Sequence, residues 1–129
     1  KELTRRFIRR LKVLEKNIDA ASFDFLGFNS ELEEFGHRNF LSRKTVFAIE
    51  SIFEELCVGT LLSVLPRLRF VLEYSEQEDE ADITVTYEGD IGDPLDGMDP
   101  ISRKLLEHNC SELDRSYENG ENRIRIVVK

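Results

Sequence analysis

Two adjacent glutamates, Glu54 and Glu55, lie in the middle of an apolar segment whose periodicity predicts a helix. Their neighbours Phe53 and Leu56 are apolar, so one of the two carboxylates is expected to face inward. A carboxylate held at the edge of a core can act as a general base. The alternative is an ordinary exposed pair on an amphipathic helix, and both interpretations fit the sequence.

A second set of polar residues follows the second of two predicted strands. Glu88 and Gly89 come directly after an alternating pattern, and Asp93 lies in the Gly-, Asp- and Pro-rich segment that follows. Arg103 belongs to a short helix that Asp99-Pro100 is expected to start. Its guanidinium could contact a phosphate, whereas a solvated helix face is the simpler interpretation.

The elements that position these residues are predicted from periodicity and from turn residues. A short helix is expected over residues 31–37, capped by Asn29 or Ser30. The long helix that carries the glutamate pair is capped by Ser42 and stopped by Pro66.

Strand patterns follow over residues 68–74 and 82–87, and a helix runs from Asp99-Pro100 to about His108. A hairpin over residues 112–128 turns at Asn119-Gly120. The sum predicts an α+β fold, a two-layer sandwich with a mixed sheet of about four strands covered on one face by helices.

This order of parts resembles the histidine-kinase-type ATPase fold shared by gyrase, histidine kinases and bacterial anti-sigma factor serine kinases, and most closely the anti-sigma branch. The resemblance covers about residues 30–129. It implies that Glu55 takes the place of the glutamate that orients or deprotonates the nucleophile. One turn later the family has an asparagine that holds Mg²⁺, and this chain has Gly59.

Further departures from the family fall on the nucleotide-binding motifs. With Asp93-Pro94-Leu95 aligned to the family's Phe-Asp-Pro ending, Tyr87 takes the place of the aspartate that accepts the adenine amino group. Gly89 matches the first glycine of that motif. Asp99-Pro100 replaces a glycine-rich lid, which removes one amide and adds a carboxylate where phosphate would bind. The expected remnants of a nucleotide site are Glu88, Gly89, Asp93 and Arg103, and the expected cofactor is none, or ATP and Mg²⁺ bound weakly.

Composition and charge bound the remaining possibilities. The 129 residues are 40% hydrophobic and 34% charged, with a net charge of −8, which is typical of one globular domain. Residues 1–16 contain seven basic and two acidic side chains, a net charge of +5, so the rest carries −13. The acidic body makes nucleic acid an unlikely partner. No apolar run is long enough for a transmembrane segment.

The basic N-terminal segment is predicted to form an amphipathic helix over residues 2–18, with Leu3, Phe7 and Leu11 on one side. We therefore divide the chain into a basic linker or packing helix, residues 1–19, and the ATPase-like domain, residues 20–129. The chain begins with Lys1, so we expect a piece of a longer protein. Two cysteines and two histidines without close spacing predict neither a disulfide framework nor a metal site.

The sequence therefore favours a regulatory or protein-interaction domain of a larger cytoplasmic bacterial protein, with weak or lost nucleotide binding. One alternative is an active serine kinase or ATPase with Glu55 as general base. Another is a dimerisation or docking appendage of a transporter or signalling protein, which would act through the basic N-terminal segment. The expected partners are a protein, other domains of the parent chain, or a second copy.

Overall fold

A sheet of antiparallel strands forms one layer of the molecule. The structure is a computed structural model that describes residues 12–22, 24–59, 62, 65, 67–89 and 93–129. Within these residues the sheet has five strands in the spatial order β1-β2-β3-β5-β4. They are β1 (Lys12–Ile18), β2 (Leu68–Ser75), β3 (Glu80–Glu88), β4 (Glu112–Glu118) and β5 (Glu121–Val128).

Helices form the second layer and cover one face of the sheet. They are α1 (Phe25–Arg38), α2 (Arg43–Gly59) and α3 (Pro100–His108), with a short 3-10 turn over Ala20–Ser22. The predicted α+β two-layer sandwich is confirmed. The sheet has five strands where about four were predicted, and its four strand pairings are all antiparallel, so the prediction of a mixed sheet was wrong.

The prediction of a basic helix over residues 2–18 is wrong for residues 12–18, which form strand β1. This strand pairs with β2 from Lys12 opposite Tyr74 to Ile18 opposite Leu68. Its less exposed side chains alternate with exposed ones along its length. Pairing with β2 satisfies backbone groups along the whole strand, and this tertiary contribution outweighs the local helical spacing. Residues 2–11 of the predicted helix lie outside the described residues.

Helix α1 begins earlier than the predicted helix over 31–37. Its cap is Asp24, not Asn29 or Ser30, and a carboxylate oxygen of Asp24 accepts a hydrogen bond from the Gly27 amide at 3.0 Å. The longer helix buries Phe28 against α2 and the sheet, and this packing accounts for the additional turns.

The predicted start of α2 is confirmed, because the Thr45 amide donates to Oγ of Ser42 at 3.1 Å. The helix ends at Gly59, before Pro66. In α3 the predicted cap is also confirmed, since the Ser102 amide donates to Asp99 at 3.3 Å. The hairpin turns at Asn119-Gly120 with φ angles of 55° and 79°, as the Asn-Gly signal predicts.

Three phenylalanines join the two layers. Phe28 of α1 stacks on Phe53 of α2 with ring centroids 4.4 Å apart. Phe70 of β2 meets both rings edge-on, at 5.3 Å and 4.7 Å. This cluster fixes α1 and α2 on the sheet, and with them the side of α2 that carries Glu55.

Candidate functional site

Glu55 is partly buried on α2, while its neighbour Glu54 is exposed. Among the described residues, its carboxylate makes no hydrogen bond or ion pair. One turn after Glu55, the family that this chain resembles has a metal ligand. This helix has Gly59 at that position, which has no side chain. The described residues also contain no group of three or more His, Cys, Asp or Glu side chains that could hold a metal ion. Within the described residues, Glu55 thus has neither a bonded partner nor a neighbouring cluster of metal ligands.

Tyr87 and Glu88 end strand β3 on opposite faces of the sheet. Successive strand side chains alternate, and Tyr87 is buried in the core with 4% of its surface exposed, whereas Glu88 is exposed. Helix α2 lies on the same side as Tyr87. The structure therefore does not bring Glu88 together with Glu55.

Gly89 directly follows β3 and has a backbone conformation that favours glycine. Its φ is +115°, and its carbonyl accepts a hydrogen bond from Nδ2 of Asn122 at 2.6 Å. The same amide group of Asn122 contacts the carbonyl of Tyr87 at 3.4 Å. These contacts hold the end of β3 on β5.

A cleft of about 900 Å³ lies at this end of the sheet, and Glu88 and Gly89 both line it. Its lining also includes Arg67, Arg69 and Glu121, so it contains charges of both signs. Arg69 is paired with Glu15 of β1 at 2.7 Å. The cleft joins two of the five residues predicted from sequence, Glu88 and Gly89.

Asp93 lies in a separate cavity of about 460 Å³, lined in part by Tyr87 and Arg115. A carboxylate oxygen of Asp93 accepts hydrogen bonds from the Leu95 amide and from Nη1 of Arg115, both at 3.0 Å. Burial raises the pKa of Tyr87, the charge of Asp93 raises it further, and the guanidinium of Arg115 lowers it. Asp93 and Arg115 thus form a charged pair beside a buried, neutral phenol.

The segment that begins at Asp93 is fixed to the body of the domain. Leu95 and Met98 are buried in the hydrophobic core, and the Met98 amide donates to the Leu95 carbonyl at 3.2 Å. The ion pair of Asp93 with Arg115 ties the start of this segment to β4. The burial of Leu95 and Met98 in the core indicates that this segment has a structural role and does not cover an open pocket.

Arg103 projects from α3 and forms an ion pair with Glu107 one turn later, at 3.7 Å. It lines neither of the two cavities described above. At the start of the helix Pro100 has no amide hydrogen, and the Ser102 amide is used by the side chain of Asp99. The first turn of α3 is therefore capped by its own chain.

The predicted site residues do not converge on one cavity. Two groups of the observed arrangement, Arg115 and Asn122, were missed by the sequence reasoning. The sequence feature that could have indicated them is the Asn-Gly turn, because it fixes the register of β4 against β5. Once β5 pairs with β3, Asn122 lies opposite Tyr87. The register of β5 against β3, however, depends on tertiary packing.

Comparison with solved structures identifies the fold. The chain is similar to the crystal structure of the RsbU and RsbW domains of Rv1364c from Mycobacterium tuberculosis, with a TM-score of 0.64 and 12% sequence identity. The similarity covers 91% of this chain and 32% of that one, so the chain spans about a third of its neighbour's length. The chain thus shares a fold with part of this neighbour, and that fold is the α+β two-layer sandwich predicted from sequence.

No protein-family model matches the chain, and no curated protein matches it. In the part of the chain that the structure describes, none of the helices has the length and apolar character needed to cross a membrane.

Proposed function

We propose that this chain is a regulatory, protein-interaction domain built on a histidine-kinase-like scaffold, with weak or lost nucleotide binding, in a larger cytoplasmic bacterial protein. The observation that carries the proposal is the buried Tyr87 beside the ion pair of Asp93 and Arg115. In the family this chain resembles, that strand position holds the carboxylate that accepts the adenine amino group.

The described residues around Tyr87 support the loss of purine recognition. Burial raises the pKa of Tyr87, so its hydroxyl stays neutral at physiological pH. The carboxylate of Asp93 is already engaged by Arg115 and by the Leu95 amide. Glu88, the other carboxylate nearby, lies on the opposite face of the sheet. An adenine amino group would thus compete with Arg115 and the Leu95 amide for the carboxylate of Asp93.

The phosphate side of the site supports the same proposal. Mg²⁺ prefers oxygen ligands, and Gly59 offers no side chain where the family has its asparagine. A helix N-terminus binds phosphate through free amides. Here the carboxylate of Asp99 occupies that position, so a phosphate would meet a negative charge.

A ligand-dependent thermal shift tests this proposal. A ligand present at 100 times its Kd stabilises the folded state by about 2.7 kcal/mol, which raises Tm by several degrees for a domain of this size. We expect no increase in Tm with millimolar ATP and Mg²⁺ beyond that produced by Mg²⁺ with inorganic triphosphate. A rise specific to ATP would overturn the loss of nucleotide binding.

An active serine kinase or ATPase is the second candidate, and the partly buried, unpaired carboxylate of Glu55 favours it. This candidate predicts phosphoryl transfer from labelled ATP that Glu55→Ala abolishes and Glu54→Ala leaves intact. Glu54 is a matched control because it is the exposed neighbour on the same helix. Our proposal expects no transfer from any of the three proteins.

A further inference from the structure

A groove of about 630 Å³ lies between α1 and α2 near their connection. Helix α1 contributes Glu33 and Gly36, which are three residues apart, and α2 contributes Val46, Phe47 and Glu50. These spacings place the contributing side chains of each helix on one side of it. The groove is therefore a continuous trough between two helices, which is the shape that receives a third helix.

The floor of the groove is apolar and tightly closed. Val46 and Leu41 are buried there. Gly36 has no side chain, and a Cβ atom at this position would lie 2.6 Å from Cγ2 of Val46. The two helices thus approach closely beneath the groove and leave no gap into the core.

Two phenylalanines beside the groove are held in solvent. Phe47 lines it and is 68% exposed, and Phe40, which directly precedes the groove residue Leu41, is 77% exposed. Phe40 also has a φ of +62°, a conformation that is costly for a bulky side chain. The strained backbone of Phe40 therefore coincides with an exposed apolar side chain.

The charges of the groove favour a cationic partner at one end. Glu33 and Glu50 come from different helices, and neither forms an ion pair within the described part of the chain. Burial and the charge of Glu33 raise the pKa of Glu50. Arg43 and His37 also line the groove, but Arg43 lies two turns before Glu50 on α2. His37 lies one turn after Glu33 on α1. Glu33 and Glu50 nevertheless have no ion-pair partner among the described residues, so this end of the groove can accept a cation.

We propose that this groove docks an amphipathic helix of a partner protein, with an apolar side chain against Phe47 and a lysine or arginine between Glu33 and Glu50. This inference rests on the proposed function as a protein-interaction domain and names its docking surface. The net charge of −8 on the chain also favours a basic partner.

The test uses the full chain and a fluorescent helical peptide of about 15 residues, with leucines at i, i+3, i+4 and i+7 and lysines flanking them. We expect saturable binding in fluorescence anisotropy. Phe47→Ala should weaken binding about tenfold, and the double substitution Glu33→Gln with Glu50→Gln should do the same. Matched controls are Leu26→Ala, an 82% exposed apolar residue of α1, and Glu54→Gln, an exposed carboxylate of α2.

Equal affinity in the groove variants and the controls would overturn the proposal, and so would the absence of saturable peptide binding. Stronger binding of a matched peptide with glutamate in place of each lysine would overturn the charge argument. Circular dichroism confirms that each variant is folded. An ATP titration of the same samples separates the two proposals. ATP binding would overturn only the loss of nucleotide binding, whereas peptide binding insensitive to Phe47 would overturn only the groove.

Discussion

Nη1 of Arg115 lies 3.0 Å from the carboxylate of Asp93, and the two charges act in opposite directions on the hydroxyl of Tyr87. The pair joins the segment that follows β3 to strand β4. Leu95 is buried two residues later, and the Asp93 carboxylate accepts its amide hydrogen. One ion pair thus fixes the segment that begins at Asp93 and also contributes to the electrostatic environment of the buried phenol.

The titration of Tyr87 should report this relationship. Arg115→Ala should raise the pKa of Tyr87, because it removes a positive charge that stabilises the phenolate. Asp93→Asn should lower it, because it removes a negative charge. The measurement is the tyrosine ζ-carbon chemical shift as a function of pH. The pKa of Tyr74, raised to about 12 by burial and by Asp79, serves as the internal control and should not change.

The sign of the accompanying stability change follows from linkage. The pKa of Tyr87 in the folded state lies above the value of 10.0 for a free tyrosine. Its contribution to stability is therefore complete below that pH and is lost as the pH rises through the folded-state pKa. Arg115→Ala should make this loss larger and extend it to higher pH, because the folded-state pKa rises while the unfolded-state pKa is unchanged. Identical titration curves for wild type and both variants would contradict the proposed environment of Tyr87.

The close approach of α1 and α2 predicts an unusual effect at Gly36. Alanine is favoured over glycine inside a helix by about 1 kcal/mol. Gly36→Ala should nevertheless destabilise the domain by about 1–3 kcal/mol, because the new Cβ would lie 2.6 Å from Cγ2 of Val46. Urea unfolding measures the change.

The double-mutant cycle with Val46 supplies the control for this prediction. In a Val46→Ala background the clashing methyl group is gone, so Gly36→Ala should become neutral or stabilising. The same destabilisation in both backgrounds would show that the packing of the two helices is not as described.

The aromatic cluster should dominate core stability. Phe70→Ala should cost about 3–5 kcal/mol, since Phe70 is fully buried and meets both Phe28 and Phe53. Phe47→Ala removes the same side chain from an exposed position and should change the free energy of unfolding by less than about 0.5 kcal/mol. Comparable losses for the two substitutions in urea unfolding would argue against the assigned core.

The elements with a single dominant local signal could be predicted from sequence. Ser42 and Asp99 are residues that strongly favour helix N-caps, and Asn119-Gly120 selects one hairpin turn. The starts of α2 and α3 and the positions of the last two strands were therefore predicted correctly. Strand β1 could not be, because Leu11, Leu14 and Ile18 satisfy a helical period while Leu14, Lys16 and Ile18 also alternate. Only the presence of β2 as a partner decides between these two conformations.

The candidate site was less predictable than the fold, because it depends on which face each residue occupies. Glu88 follows Tyr87 by one position, and in a strand one position means the opposite face. Neighbouring positions in a sequence motif do not show this difference. The ion pair of Asp93 with Arg115 links residues far apart in sequence, so no local pattern indicates it.

The affinity of the chain for nucleotide decides whether its nucleotide site has been lost. Isothermal titration of the full chain with ATP in the presence of Mg²⁺ measures it, with inorganic triphosphate and Mg²⁺ as the control for binding of phosphate alone. A lost nucleotide site predicts only heats of dilution and therefore no binding in the micromolar range. A saturable isotherm with a micromolar Kd, specific to ATP, would contradict it.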